Sequence, residues 1–197
     1  MSAAGDAHGN GNGAVPADAV DLLLGQHMRI RDLFVRVEAA TGRDRREAFR
    51  ELVHLLAVHE TAEEEVVHPL VRSAVEGGDA IVDDRLAEEH AAKKMLSRLE
   101  DTDPDGPEFG PLLAGLRQAV LTHANAEETH EFRYLRRSVD AEQLRALVPV
   151  VRAAEAMAPT HPHPGVESAK ANLVAGPVAA VFDRARDLVR RATPGDR

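Results

Sequence analysis

Two stretches of the chain pair an imidazole with a carboxylate four residues on: His59-Glu60-Thr61-Ala62-Glu63-Glu64 and His123-Ala124-Asn125-Ala126-Glu127-Glu128. Nitrogen and oxygen donors at that spacing lie one turn apart on one helix face and can close on a cation. A single His-x-x-x-Glu is common on solvated helices. Here both copies follow His-x-x-Ala-Glu-Glu, and both lie on apolar stripes. The first shares a face with Leu52, Leu56 and Val66, the second with Leu112, Leu116, Ala119, Val120 and Tyr134. Polar groups turned toward a core without partners are costly, so the pattern asks for a ligand.

A further histidine precedes each copy. His27 lies 32 residues before His59, and His90 lies 33 residues before His123. His27 falls on the stripe Val20, Leu23, Leu24 and Phe34, and His90 follows Leu86 by one turn. The chain reads as a duplicated unit, each half a helix with one His followed by a helix with His-x-x-x-Glu. Four helices would direct His27, His59, Glu63, His90, His123 and Glu127 into one interior. Four imidazoles and two carboxylates exceed the needs of one tetrahedral zinc and suit two ions bridged by two carboxylates.

The other histidines sort by helical angle. His54, five residues before His59, points about 140° away from it. His68 falls nearly opposite His59. His130, seven residues after His123, returns to its face about 10 Å along the axis, where it or Tyr134 could line a pocket. His8, His161 and His163 have no expected site role. Glu60, about 100° round the helix from His59, reads first as a solvated charge, as do Glu64 and Glu128.

Helix signals place these residues on an all-α frame. Expected helices span Pro16 to Ala40, Asp44 to Glu76 with a kink at Pro69, Asp79 to Leu99, Pro111 to Arg137, and Asp140 to Ala158 with a bend at Pro149. Residues 1–15, rich in Gly, Ala and Asn, are expected to be a disordered tail. Residues 16–158 form the expected bundle with its fifth helix. Residues 159–197 hold a Pro-rich linker and an amphipathic helix, whose stripe over 177–190 could meet a protein partner or a second copy.

Composition narrows the functions. The net charge of −9 argues against a nucleic-acid or anionic-membrane partner. Trp is absent and aromatic residues are 3% of the chain, which removes base-stacking platforms. With no cysteine there is no disulfide, zinc–thiolate or iron–sulfur chemistry. No apolar run approaches the roughly 20 residues of a membrane span, and the N-terminus lacks secretory-signal features, so a cytoplasmic location is expected.

The ordered pattern His27, His59-x-x-x-Glu63, His90, His123-x-x-x-Glu127 resembles the hemerythrin-like (HHE cation-binding) domain over about residues 18–137. The resemblance implies an up-down-up-down four-helix bundle with additional C-terminal helices. It implies two non-haem iron ions with a bridging oxo or hydroxo ligand, held by His27, His59, His90 and His123 with Glu63 and Glu127 as bridges. The oxygen-carrying hemerythrins have five histidine ligands, two of them on the third helix. This chain offers only His90 there, followed by Lys93 and Lys94, which argues against reversible oxygen carriage. The eukaryotic iron-sensing member uses a Glu directly after the first motif's His as a ligand, which adds Glu60 to the candidates. The expected function is a metal-binding protein that binds or reacts with dioxygen, peroxide or nitric oxide in sensing or detoxification. The alternative is a helical interaction bundle stapled by a redox-inert metal such as zinc.

Overall fold

The computed structural model describes residues 15–158 and Asp187. The N-terminal tail through residue 14, the linker and all but Asp187 of the expected last helix lie outside the described residues. Among the described residues there is no strand, and no helix is long and apolar enough to cross a membrane.

Helix α1 (Ala19–Ala39) starts where the Asp18 carboxylate accepts from the Asp21 amide at 2.8 Å. Gly42, in the left-handed region at φ 56°, turns the chain into α2 (Gly42–Ala62). A π-helical turn, Glu63–Val67, carries α2 into α3 (His68–Ala74). Gly77, at φ 72°, reverses the chain into α4 (Gly78–Glu100). A turn closed by the Gly106 amide donating to Asp103 O leads into α5 (Phe109–Glu127). A second π-helical turn, Glu128–Phe132, joins α5 to α6 (Arg133–Ser138). Helix α7 (Ala141–Glu155) is capped by Asp140, which accepts from the Glu142 and Gln143 amides, and carries Pro149 within it.

The result is a helical bundle of four rods in sequence order: α1, α2 with α3, α4, and α5 with α6. Helix α1 packs mainly on α2 and α4 on α5, while α7 lies along α1 and α2. The expected single helix over 44–76 is therefore interrupted. The break is the π turn just upstream of Pro69, not a simple kink at the proline. The second π turn has no proline near it, so the device belongs to the repeat.

Two apolar clusters sit at opposite ends of the bundle. One gathers Leu22, Leu23, Val66, Leu70, Phe132, Leu135, Leu144 and Val151 around α7. The other gathers Ile30, Phe34, Phe49, Leu52, Leu56, Leu96, Leu99 and Phe109. Each rod passes from one cluster to the other through a polar segment. In α1 His27 lies between Leu23 and Ile30. In α2 His59 and Glu63 lie between Leu56 and Val66. The site is a buried polar layer clamped between two cores.

Glycines separate packing from propensity. A Cβ on Gly78 would sit 2.2 Å from the Val71 carbonyl oxygen, so α3 and α4 approach too closely for any side chain. Around Gly115, inside α5, a Cβ would meet nothing within 4 Å. We expect Gly78→Ala to destabilise the fold by about 1–3 kcal/mol through overpacking. Gly115→Ala should stabilise it by roughly 0.5–1 kcal/mol through helix propensity. Thermal unfolding of both variants checks the opposite signs.

Candidate metal centre

Two groups of buried donors meet in the polar layer. His27, His59, Glu63 and Glu127 have ligand atoms within 4.8 Å of one another, and so do Glu63, Glu89 and His123. Glu63 belongs to both. Glu127 spans them as well: its Oε2 lies 3.2 Å from His27 Nε2 and its Oε1 lies 3.2 Å from His123 Nε2. His59 Nε2 lies 3.2 Å from Glu63 Oε1 and 3.0 Å from His27 Nε2.

The outer ring nitrogens fix how these imidazoles present themselves. His27 Nδ1 donates to Glu128 at 2.8 Å, and Arg31 donates to the same carboxylate oxygen. His59 Nδ1 donates to the Gln26 side-chain oxygen at 2.8 Å, while the Gln26 amide nitrogen donates to Glu155. His123 Nδ1 donates to Glu88 at 3.0 Å, and Arg85 holds Glu88 in turn. With Nδ1 held as a donor, each Nε2 points inward and offers a lone pair once its ring is neutral. Both oxygens of Glu63 and of Glu127, and His123 Nε2, are buried without a hydrogen-bond partner. Such a convergence of acceptors away from water is unfavourable unless a cation or extra protons fill it.

The charge pattern bears out that strain. Burial, with repulsion by its His27 neighbour, pushes His59 down to about 3. Burial and the Glu127 charge push Glu63 well above the usual carboxylate range. Burial opposes ionisation of Glu127 too, but the charge of His123 and the ring nitrogens of His123 and His27, each 3.2 Å from one of its oxygens, hold Glu127 well below it. His123 is raised to about 10: burial opposes this most strongly, and the carboxylates of Glu127, Glu88 and Glu89 together outweigh it.

The structure departs from the sequence expectation on α4. His90 is half-buried and is not among the donors that converge; Glu89 stands in the interior instead. The buried residues of α4 are Gly78, Val82, Arg85, Glu89, Ala92, Leu96 and Leu99, spaced alternately four and three apart, together with Lys93. That stripe passes through Glu89 and leaves His90 about 100° off it. The stripe was readable; the match of His90 to His27 in sequence spacing concealed it.

The π turns account for the other departures. In the first, the His68 amide bonds to the Glu63 carbonyl, so His68 comes round beneath Glu63 rather than opposite His59. Its Nε2 donates to Glu89 Oε1 at 2.7 Å, and its Nδ1 lies 3.5 Å from the buried Glu131. Burial works against the imidazolium, but hydrogen bonds to Glu131 and Glu89 raise His68 to about 9. In the second, the extra residue carries His130 and Tyr134 to the surface, so neither lines the pocket. Glu131 takes an inward position in their stead. His54 is exposed, as its angle predicts.

Glu60 is buried rather than solvated. Its carboxylate lies 3.4 Å from Lys93 Nζ, and burial raises it to about 8 although Lys93 opposes the rise. Glu64 pairs with Lys93 and Glu128 with His27, so both hold the site from outside. A small cavity of ≈ 20 Å³ adjoins His27, His59 and His123 and is walled by Ile30, Leu56, Ala92, Val120 and Ala124.

Comparison with known proteins agrees with this picture. An uncharacterized hemerythrin-like protein of Schizosaccharomyces pombe is 24% identical over 174 residues, covering 87% of this chain and 86% of that protein. A protein of a Nostoc species named DNA nickase is 28% identical over 142 residues, covering 72% of this chain but 40% of the nickase. The crystal structure of a hemerythrin HHE cation binding domain-containing protein from Mycobacterium kansasii superposes with a TM-score of 0.63 at 18% identity, covering 85% of this chain and 98% of that one. The profile of the hemerythrin HHE cation binding domain matches residues 18–135, and the chain belongs to that family.

Proposed function

We propose that the bundle holds two non-haem iron ions and presents them to a small oxidant, namely dioxygen, peroxide or nitric oxide, in sensing or detoxification. The observation that carries this is the pair of donor groups that share Glu63, with Glu127 of the first also 3.2 Å from His123 of the second, both carboxylates wholly buried. One ion would take His27, His59, Glu63 and Glu127. The other would take His123, Glu89, Glu63 and Glu127. This reading keeps His27, His59, Glu63, His123 and Glu127 from the expected set and puts Glu89 where His90 was expected. Glu60 has a different role, taken up below. An oxo or hydroxo bridge completes the cofactor in this reading. Bound there, iron would supply one-electron redox chemistry and open coordination positions.

The chain's own residues do the rest. Glu128, Gln26 and Glu88 hold three imidazoles with Nε2 inward, which orients the ligands and keeps the tautomer fixed. Ile30, Leu56 and Val120 keep the adjoining cavity apolar and small, a space that suits a diatomic molecule or peroxide. A nucleic acid has no part in this reading, which takes account of the net charge of −9. The metal-binding unit is residues 16–158, in a cytoplasmic setting.

Protons and metal compete for the same atoms. His68 and His123, raised to about 9 and about 10, are charged in the metal-free fold. Their contribution to stability is fully present below the unfolded value of about 6.5 and is lost as pH rises through 9 and 10. Glu60, raised to about 8, acts in the same sense: its contribution is present at low pH and lost as pH rises through 8. His59, lowered to about 3, acts oppositely: its contribution is present above about 6.5 and lost as pH falls through 3. Metal binding needs a neutral His123 and therefore gains with pH.

Two outcomes are expected. First, the melting temperature of metal-free protein falls between pH 6.5 and 9, while the gap between manganese-loaded and metal-free protein widens over that range. A gap that narrows would contradict the assignment of His123. Second, anaerobic iron loading gives two ions per chain, and exposure to oxygen or azide changes the optical spectrum. His59→Ala and His123→Ala lose most of the iron, Glu89→Ala loses about half on the two-ion assignment, and His54→Ala and His90→Ala keep it. One zinc per chain with no optical response would instead support the redox-inert staple.

A further inference from the structure

Beside the second donor group a lysine is buried among carboxylates. Lys93 Nζ lies 3.4 Å from Glu60 Oε2 and 3.6 Å from Glu89 Oε2, and it bonds to Glu64 Oε1. Glu60 and Glu64 come from the α2 rod and Glu89 from α4, so one ammonium ties two rods together. Buried ammonium groups are rare, and this one is held by three acids. Glu89 is in turn divided between two cations: its Oε1 accepts from His68, and its Oε2 faces Lys93 without a hydrogen bond. That Oε2 belongs to a residue whose ligand atoms converge with those of Glu63 and His123. Next to it lies a cavity of ≈ 240 Å³ lined by Glu64, Leu86, Ala87, Glu89, His90 and Lys93 itself.

A divalent ion on Glu89 and an ammonium on the same carboxylate would repel one another at short range. The lysine stem is long and flexible, and the cavity gives it room to move. Among the described residues no lysine pairs with His27, His59, Glu63 or Glu127, so the first position has no such competitor there.

We propose that Lys93 is a tethered cation that stands in for the second metal ion. It sits among the carboxyl groups of Glu60, Glu64 and Glu89 in the metal-free bundle and withdraws into the adjoining cavity when a divalent cation takes Glu89. The two positions therefore fill in order, the histidine-rich one first. The lysine sets the metal concentration at which the second is occupied. This rests on the two-ion reading above and gives Glu60 a role in holding Lys93.

The test uses the full chain and iron(II) under anaerobic conditions. Calorimetric titration of the wild type should show a tight first equivalent and a weaker second. In Lys93→Met and in Lys93→Gln, the milder neutral variant, the second equivalent should tighten by at least about tenfold, with the first unchanged. Lys93→Arg, which keeps the charge, should behave as wild type. A second readout needs no variant. The chain has three lysines, at 93, 94 and 170. Reductive methylation read by mass spectrometry should find Lys93 protected in metal-free protein and modified after two equivalents of iron, with exposed Lys94 modified in both. Two equivalents bound with the second equally weak in wild type and neutral variants, or Lys93 protected throughout, would overturn the proposal alone. A wild type that never takes a second ion would overturn the two-ion reading and this proposal with it.

Discussion

The constraint on which the rest of the structure depends is the pair Glu63 and Glu127, both with no exposed surface, facing one interior. Two carboxylates in so dry a space cannot both be ionised without a cation between them. In the metal-free fold the conflict is resolved asymmetrically. Glu127 keeps its charge, held by His123 and His27, while Glu63 is driven toward its neutral form by burial and by Glu127 itself. Around this pair the neighbouring acids have cationic partners: His68 for Glu89 and Glu131, Lys93 for Glu60 and Glu64.

Such a layer persists because it is clamped. Phe34, Leu52, Leu99 and Phe109 close one end; Leu23, Leu70, Phe132 and Val151 close the other, with α7 laid across α1 and α2. Helix α7 does more than cover apolar surface. Its Glu155 accepts from Gln26, whose oxygen takes the His59 proton. An element outside the four rods thus reaches an inward-facing imidazole through one intermediate. Arg136 on α6 pairs with Asp18 and Asp21 at the start of α1, fixing the rods that flank that end.

The rods, their order and the inward facing of His27, His59, Glu63, His123 and Glu127 were legible in the sequence because a straight helix obeys one angle. His27, His59, Glu63, His123 and Glu127 could be placed by counting alone. Apart from the burial of Glu60, much of what was not legible lies within or after each π turn, where counting at 100° per residue fails. His68 was expected opposite His59 and is inside; His130 and Tyr134 were expected inside and are exposed. Local sequence does not announce a π turn, since the extra residue is accommodated by packing rather than by a breaker. The exchange of His90 for Glu89 has another origin. The match in spacing between His27 and His90 favoured one residue, while the stripe Val82, Arg85, Glu89, Ala92, Leu96 and Leu99 favoured its neighbour. Packing of six positions outweighed the likeness of one.

The same π turns explain why a duplicated sequence does not make a symmetric site. Five residues after Glu63 stands His68; five residues after Glu127 stands Phe132. In the first half that position donates to Glu89 and helps to hold a third carboxylate in the interior. In the second half the Phe132 ring stacks on His27, with centroids 5.6 Å apart and planes 21° apart, and adds no charge. One donor group consequently has two imidazoles and the two shared carboxylates, with apolar support behind it. The other has one imidazole and an additional carboxylate, backed by a histidine and a lysine that already carry positive charge. On the two-ion reading, softer nitrogen ligands, and no lysine paired with them among the described residues, would favour early occupation of the first position. On the same reading the second would have to displace charge before it could fill. A single difference at the residue that each π turn brings beneath its glutamate is enough to make the two halves chemically unequal.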